Sequence, residues 1–181
     1  MSKELKLNLG CQDDIKEGFL NIDNFSIGIE NKENNEKIMK CDLNQLPLPF
    51  SDDSVIEINC GHLLVYLDRP GDFMLELYRI CKSKAKIKIS TPHFSMPLSY
   101  ADLYQKRSGY SYFTFGKEVW NRFLFDKFKV INKKINYTRL NYTWLNYIFN
   151  PIINAFPLIY ERIFCYMLPS SEIIFELEVI K

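Results

Sequence analysis

The fold of this chain is decided by the stretch LKLNLG-CQDDIKEG-FLNID, residues 5–23. It holds two short apolar runs, Leu5 to Gly10 and Phe19 to Asp23, and the first ends in glycine while the second ends in an acid. Short apolar runs bounded by turn residues are typical of buried β-strands. The chain therefore begins with two predicted strands.

Similar runs recur through the first half of the chain, at Ile38 to Asp42, Val55 to Cys60 and Ala85 to Thr91. Before the last of these, apolar residues recur at helical spacing after Pro70, which suits the first turn of a helix. A strand, a helix and a strand in succession predict parallel pairing through a right-handed crossover. Two prolines in Leu46 to Asp53 predict an ordered loop outside the sheet.

The second half continues with a predicted helix at Gly116 to Phe125 and a predicted strand at Lys127 to Thr138. Glu172 to Ile180 alternates apolar and polar residues, which predicts a last strand antiparallel to the one before it. Asn141 to Pro169 lies between these two strands and is dense in aromatic residues. We call this segment the aromatic insertion and expect it to be helical.

Composition places the chain among single-domain globular proteins. Its 181 residues fit one domain, 1–181, with the aromatic insertion, 141–169, inside it. Lys and Arg number 23 against 22 acids, so the chain lacks the strong positive field that favours nucleic acid. The basic run at Lys82, Lys84, Lys86 and Lys88 alternates with apolar residues and predicts a half-exposed strand.

Cysteine and histidine usage argues against disulfides and metal. The five cysteines are odd in number, widely spaced and without a C-x-x-C pair, which predicts reduced, buried thiols. Two histidines, His62 and His93, are too few for a convincing zinc site. Met1 to Lys6 is charged and lacks the apolar run of a signal peptide, so we expect a cytoplasmic protein.

The aromatic insertion admits three interpretations. It can pack as a lid or a cover over the sheet, form a homodimer interface, or make peripheral contact with lipid, because Trp, Tyr and Phe favour interfaces. A membrane crossing is not expected, since two prolines and several polar residues break the roughly 20-residue continuity that crossing requires. Those polar residues are Asn146, Asn150, Asn154, Glu161 and Arg162.

Several motifs follow one another in order along the first half of the chain: LNLGC at 7–11, GFLNID at 18–23, CDL at 41–43, LPLPF at 46–50, HLL at 62–64, FMLELYRI at 73–80 and PHFS at 92–95. This order resembles the class I S-adenosylmethionine-dependent methyltransferase domain, in its methyltransferase type 11-like branch. The resemblance implies a doubly wound, mostly parallel seven-stranded Rossmann-like α/β sheet with the last strand antiparallel. It also implies S-adenosylmethionine as the cofactor.

The resemblance further implies which residues meet the cofactor. Gly10 would form the tight turn after the first strand, Asp23 would accept the ribose hydroxyls, and Asp42 would lie at the adenine edge. The implied cofactor-binding residues all lie at or after the ends of predicted strands: Gly10, Cys11, Asp23, Asp42, Leu43 and Asn59.

Three departures from the family pattern concern the region that would hold the cofactor and its substrate. Gln12 and Asp14 stand where the pattern usually repeats glycine. Only 13 positions separate Gly10 from Asp23, which leaves at most a stub of the usual first helix. The family's H-x-L-E-H is replaced by HLLVY at 62–66, so two polar groups are missing.

A sulfonium methyl group is already an activated electrophile, so the protein mainly aligns a nucleophile and excludes water. If the acceptor must lose a proton, His93 and His62, each after a predicted strand, are the candidate catalytic bases. Either could equally be a hydrogen-bonded structural residue. Tyr100, Asp102 and Tyr104 are candidates for orienting the substrate.

Three functions follow from these observations and stay open at the level of sequence. The first is methyl transfer from S-adenosylmethionine to a small-molecule or lipid-like acceptor. The second is a catalytically degenerate cofactor-binding or scaffold module. The third is a membrane-peripheral interaction protein that uses Trp144 to Tyr166 as its contact.

Overall fold

A computed structural model describes residues 4–24, 38–116, 124, 126–139 and 141–181 of the chain. Seven strands form its centre: β1 (Leu5–Leu9), β2 (Leu20–Asp23), β3 (Ile38–Lys40), β4 (Val55–Gly61), β5 (Cys81–Pro92), β6 (Phe128–Asn136) and β7 (Glu172–Val179). They make one sheet in the order β3-β2-β1-β4-β5-β7-β6.

Strand pairing confirms the predicted fold class. The first five strands pair in parallel, and β7 lies antiparallel between β5 and β6. The chain passes outward from β1 to β2 and β3, then returns to β4 on the other side of β1. In open α/β sheets such a reversal of strand order opens a crevice at the carboxyl ends of the strands. The crevice of this chain is therefore expected beside β1 and β4.

The strand bounds differ from the predicted ones at a few positions. The third strand, β3, ends at Lys40, so Asp42 lies in the following loop and not at the strand end. The fifth strand begins at Cys81, directly after a helix, and runs through Pro92. The helix predicted for 116–125 falls on residues that, apart from 116 and 124, lie outside the described ones.

Helix α1 (Pro70–Ile80) joins β4 to β5 and confirms the predicted crossover. Pro70 occupies its first turn, where a missing N–H is tolerated. Its inner side is apolar and joins the core of the sheet through Phe73, Met74, Leu77 and Ile80, all buried. Burying one such side chain stabilises a fold by about 1.5–3 kcal/mol.

Arg79, near the end of α1, fixes the proline-containing loop 46–53. Its guanidinium donates to the carbonyl of Leu48 at 3.2 Å, to that of Phe50 at 2.9 Å and to Glu76 Oε1 at 2.6 Å. The Leu48 N–H donates to the same Glu76 oxygen at 2.7 Å. The hydrogen bonds from Arg79 hold the pKa of Glu76 below its usual value. The loop is ordered and lies outside the sheet, as predicted.

The connection between β1 and β2 consists of turns and contains no helix, in agreement with the short spacing. Asparagine side chains on neighbouring strands hold it. Asn8 Nδ2 donates to the carbonyl of Asp14 at 2.7 Å and to Asn21 Oδ1 at 2.8 Å. Asn59 Nδ2 donates to Asn8 Oδ1 at 2.7 Å. These buried amide hydrogen bonds fix the connection where a crossover helix would otherwise pack.

The two faces of the sheet differ in polarity. On the face that joins α1, Ala85, Ile87 and Ile89 of β5 are buried. On the opposite face Lys86 and Lys88 are exposed, which confirms the predicted half-exposed strand. There, side chains of alternating charge lie side by side across five strands: Lys6, Glu57, Lys86, Glu178 and Lys129. Each cross-strand pair of opposite charge contributes roughly 0.2–1 kcal/mol, so charge pairing stabilises this open face.

The five cysteines are free thiols, four of them buried and Cys41 half-buried, so the expectation of buried thiols is wrong for Cys41 alone. Burial raises the pKa of Cys60 and of Cys81 to about 12. These thiols stay protonated at neutral pH and behave as small apolar side chains.

The aromatic insertion covers the free edge of the sheet. Its helix α2 (Asn146–Ala155) lies beside β6, the edge strand. Asn150 Oδ1 accepts the Tyr137 N–H at 2.8 Å, while Asn154 accepts the Ile135 N–H at 2.7 Å and donates to the Ile135 carbonyl at 2.8 Å. An exposed edge strand presents unpaired backbone groups. At the end of this edge, the backbone groups of Ile135, Tyr137 and Thr138 are satisfied by the amides of three asparagines spaced four residues apart: Asn146, Asn150 and Asn154.

The second part of the aromatic insertion is also helical, at Pro157–Ile159 and Tyr160–Phe164. It is anchored through side chains on its inner side. The Tyr160 hydroxyl lies 2.6 Å from Ser170 Oγ and donates to the Leu168 carbonyl at 2.8 Å. Among the described residues, no helix combines the length and the apolar character needed to traverse a bilayer.

Candidate functional site

A cleft of about 720 Å³ opens at the carboxyl ends of β1, β2, β4 and β5, where the strand order reverses. Its volume lies within the range of small-molecule sites, roughly 300–1,000 Å³. Four of the residues singled out from the sequence line it: Gly10, Asp23, His62 and Asp102.

The turn after β1 forms one wall of the cleft. Gly10 has a φ of +66°, and its N–H donates to the Ile22 carbonyl at 2.9 Å, so the chain reverses within one residue of the strand. A Cβ at Gly10 would lie 3.1 Å from the Cβ of Leu63, which also lines the cleft. Glycine is therefore favoured here by its conformation, and a Cβ would force Leu63 to shift by a few tenths of an ångström. Gln12 follows with a φ of +44° and lines the same wall.

Asp23 ends β2 and directs a carboxylate toward this turn. Its Oδ2 accepts the Gln12 N–H at 2.9 Å. Burial raises the pKa of Asp23, against the lowering effect of the Gln12 and Asn24 N–H groups. A carboxylate accepts about four hydrogen bonds, so Asp23 keeps the capacity to bind hydroxyl groups in the cleft.

Four predicted cofactor-binding residues do not line the cleft. Cys11 is buried beneath the turn, and burial, followed by the charge of Asp23, raises its pKa to about 11. Leu43 belongs to the core, and Asp42 uses Oδ1 to accept the Asn44 N–H at 3.0 Å. The side chain of the fourth, Asn59, donates to Asn8 in the network under the β1–β2 connection.

His62 lies directly after β4, has a φ of +53° and borders the cleft. Its Nε2 lies 3.2 Å from Glu172 Oε2 and 2.9 Å from Arg139 Nη1. Nε2 can donate to Glu172 or accept from Arg139, but not both at once. Burial alone would raise the pKa of Glu172, yet the hydrogen bonds from His62 and Asn136 outweigh it and hold that pKa below its usual range.

His93 is placed differently, away from the cleft lining. Its side chain is 0% exposed. Nδ1 lies 2.7 Å from Ser95 Oγ, and Nε2 lies 3.3 Å from Glu161 Oε1. Glu161 also accepts the Ser111 hydroxyl at 2.6 Å and the Tyr112 N–H at 2.6 Å. His93 therefore belongs to a buried polar cluster that ties the aromatic insertion to the end of β5.

Of the three predicted substrate residues, Asp102 alone lines the cleft. Its Oδ2 accepts the Tyr66 hydroxyl at 2.6 Å, and this bond lowers the pKa of Asp102. Burial, together with the bond to Asp102, raises the pKa of Tyr66. Tyr100 and Tyr104 are exposed outside the lining.

Sequence reasoning did not identify several residues of this region: Tyr66, Arg139, Tyr142 and Glu172. Two of them carry a signal that could have been used. Arg139 follows a predicted strand, and Glu172 opens a strand predicted to be antiparallel, so both belong to the edge of the sheet where the parallel strands end. Their partner His62 lies at that edge too.

No protein-family model matches the chain, and no curated protein matches it in sequence. Solved structures match its fold. A SAM-dependent methyltransferase from Archaeoglobus fulgidus is 15% identical with a TM-score of 0.62, over 97% of this chain and 86% of that one. The geranyl diphosphate C-methyltransferase from Streptomyces coelicolor, solved with Mg²⁺, geranyl diphosphate and S-adenosyl-L-homocysteine, is 12% identical with a TM-score of 0.58, over 99% and 73%.

A cyclase, SpnF, also matches, with 11% identity and a TM-score of 0.60 over 99% of this chain and 75% of that one. One architecture thus occurs in proteins named for different reactions, and identities this low concern architecture alone. The chain therefore has the class I S-adenosylmethionine-dependent methyltransferase fold.

Proposed function

We propose that this chain binds S-adenosylmethionine in the cleft and transfers its methyl group to a small-molecule or lipid-like acceptor. The observation that carries the proposal is the meeting of the Gly10 turn and the Asp23 carboxylate in one cleft where the strand order reverses. Solved methyltransferases with this fold support it.

The ribose end of the cofactor fits the residues present. Gly10 leaves a gap that a Cβ would fill, and Asp23 offers a carboxylate with unused acceptor capacity. The adenine end has less support, because Asp42 and Leu43 lie outside the cleft lining. The proposal therefore rests on Asp23 as the residue that holds the two ribose hydroxyls.

When bound, S-adenosylmethionine supplies a methyl group already activated by the sulfonium charge. The chain then has to orient an acceptor and take its proton. We assign the role of the base that takes this proton to His62, because His62 borders the cleft. Both ring nitrogens of His93 are engaged in a buried cluster. With Nε2–H donated to Glu172, the Nδ1 lone pair of His62 can accept a proton.

Arg139 favours the other tautomer of His62, because its guanidinium can only donate to Nε2. An anionic group on the acceptor would engage Arg139 and release His62 to pair with Glu172. In this proposal Asp102, which lines the cleft and is held by Tyr66, orients the acceptor.

Thermal unfolding with added cofactor tests the proposal. A ligand at 100 times its Kd stabilises a fold by about 2.7 kcal/mol, which for a domain of this size raises Tm by roughly 5–10 °C. S-adenosylmethionine and S-adenosylhomocysteine should both give this shift. Asp23→Asn should abolish it, while Asp13→Asn, which changes an exposed acid of the β1–β2 connection outside the cleft lining, should keep it.

Absence of any shift at millimolar cofactor would overturn the proposal. A shift that survives Asp23→Asn would move the cofactor away from the assigned site. A shift without methyl transfer to any acceptor, unchanged by His62→Gln, would favour the cofactor-binding or scaffold module. The structural feature behind that second candidate is Gln12, which lines the cleft where the family pattern usually has glycine.

A further inference from the structure

Helix α2 is amphipathic, but the polarity of its two sides is the reverse of that of an ordinary surface helix. Its asparagines face the protein and hydrogen-bond the end of β6, and Ile153 is buried with them, whereas most of its other apolar residues face away. Tyr147 is 85% exposed and Ile152 62% exposed, and Ile148 is exposed between them. A surface helix of a soluble protein normally turns its apolar side to the core. The outward side of α2 therefore lacks the cover that its composition calls for.

The same polarity continues through the rest of the aromatic insertion. Its inward positions combine a hydrogen-bonded carboxylate, Glu161 with His93 and Ser111, with the buried side chains of Tyr160 and Cys165. Outward positions are apolar and exposed: Phe156, Leu158, Ile159, Ile163, Tyr166 and Met167. We call these residues, together with Trp144, Tyr147, Ile148 and Ile152, the outer face. Contiguous exposed apolar surface of this kind marks a contact with a protein or a membrane.

The charge of the segment that carries the outer face distinguishes a membrane partner from a protein partner. Residues 127–169 hold six Lys and Arg but one acid, Glu161. Of the six, Lys127 and Lys129 lie beside Asp126 and Glu178, and the other four are Lys133, Lys134, Arg139 and Arg162. Glu161 is turned inward, so the exposed charges of this segment are basic. Arg162 is exposed within the outer face. Lys134 and Arg139 border a groove of about 740 Å³ that Tyr147 also lines.

We infer that the outer face docks on the surface of a bilayer that contains anionic lipid. Lipid headgroups of negative charge attract nearby Lys and Arg by about fivefold in affinity for each residue. Two copies of this chain meeting through the outer face would instead bring two positive segments together. Trp144 and the exposed tyrosines suit the headgroup level, and the insertion would lie in the interface without crossing.

Docking in this way would place the mouth of the cleft near the lipid. Thr138 and Arg139 border both the groove and the cleft, and Tyr142 of the aromatic insertion lines the cleft as well. An acceptor held in the lipid surface would then reach the cleft without leaving the bilayer. The docking itself does not depend on methyl transfer, so the two proposals can fail separately.

Vesicle flotation of the full chain tests the inference. We expect binding to phosphatidylcholine vesicles with about 30% phosphatidylserine and much weaker binding to phosphatidylcholine alone. The double variant Ile148→Ser with Ile152→Ser should weaken binding about tenfold or more, and Lys134→Gln or Arg162→Gln about fivefold. Ile180→Ser is the matched control, because Ile180 is exposed after β7 at the end of the sheet away from the cleft.

Circular dichroism and Tm should be unchanged in these variants, which separates loss of docking from loss of fold. Failure of the wild-type chain to float with anionic vesicles would overturn the inference. A dimer in solution that the Ile148→Ser, Ile152→Ser variant converts to a monomer would also overturn it, because the outer face would then be covered by a second copy. The cofactor-induced Tm shift, unaffected by these substitutions, reports on the proposed function independently.

Discussion

The helices α1 and α2 both lie against the same sheet, but opposite kinds of side chain attach them. In α1 the inner side is apolar, and Leu77 is fully buried in the core. In α2 the inner side presents amides beside buried Ile153; Asn154 is bonded to the backbone of β6, and Asn150 to the Tyr137 N–H just after it. Hydrophobic burial holds the first helix, whereas hydrogen bonds to the end of an edge strand, together with buried Ile153, hold the second. A helix of the second kind is free to direct its apolar side outward.

The largest effect should come from α1. Leu77→Ala should lower the free energy of unfolding by about 2–5 kcal/mol, because it removes buried methyl groups and leaves a cavity. Urea denaturation followed by circular dichroism measures this loss. Leu75→Ala, a half-buried leucine on the same helix, is the matched control and should lose less. A loss under about 1 kcal/mol at Leu77 would contradict the assignment of this helix to the core.

A smaller effect is expected on the inner side of α2. Asn150→Ala should cost about 1–3 kcal/mol, because the Tyr137 N–H then has no acceptor beside β6. Alanine is the better helix former, so a loss cannot come from helix propensity. Urea denaturation measures the loss, and amide hydrogen exchange should locate it at Tyr137. Unchanged exchange at that amide would show that the asparagine does not protect the edge strand.

The smallest effect should come from the outward side of α2. Ile152→Ser should leave the free energy of unfolding in the absence of lipid within about 0.5 kcal/mol of wild type, because the side chain is exposed and isoleucine and serine have similar helix propensity. The same denaturation experiment measures it. A loss comparable to that of Leu77→Ala would mean that this side is buried in solution, and the contrast between the helices would disappear.

The sequence predicted the strands, the α1 crossover and the antiparallel last strand because these depend on local apolar periodicity. It predicted less of the aromatic insertion. The spacing of Asn146, Asn150 and Asn154 is visible in the sequence, but it suggested only interruptions of an apolar segment. Their purpose depends on the free edge of β6, which exists because β7 inserts between β5 and β6. No local pattern contains that information.

The same distinction applies to the cleft. Gly10 and Asp23 could be identified from the sequence, since a glycine after one strand and an acid after the next lie at the same end of the strands in a parallel sheet. The contact of His62 with Arg139 and Glu172 could not, because it joins residues more than 70 positions apart.

Hydrophobic periodicity and turn residues act over a few residues, so they predicted the parallel α/β arrangement and the strand ends that border the cleft, while the seven-stranded class followed from the resemblance. The tertiary structure alone decided which strand ends meet, that His93 is buried while His62 borders the cleft, and that α2 turns its amides inward. These outcomes depend on strand order and register, which are set by the packing of the whole sheet and not by any one segment.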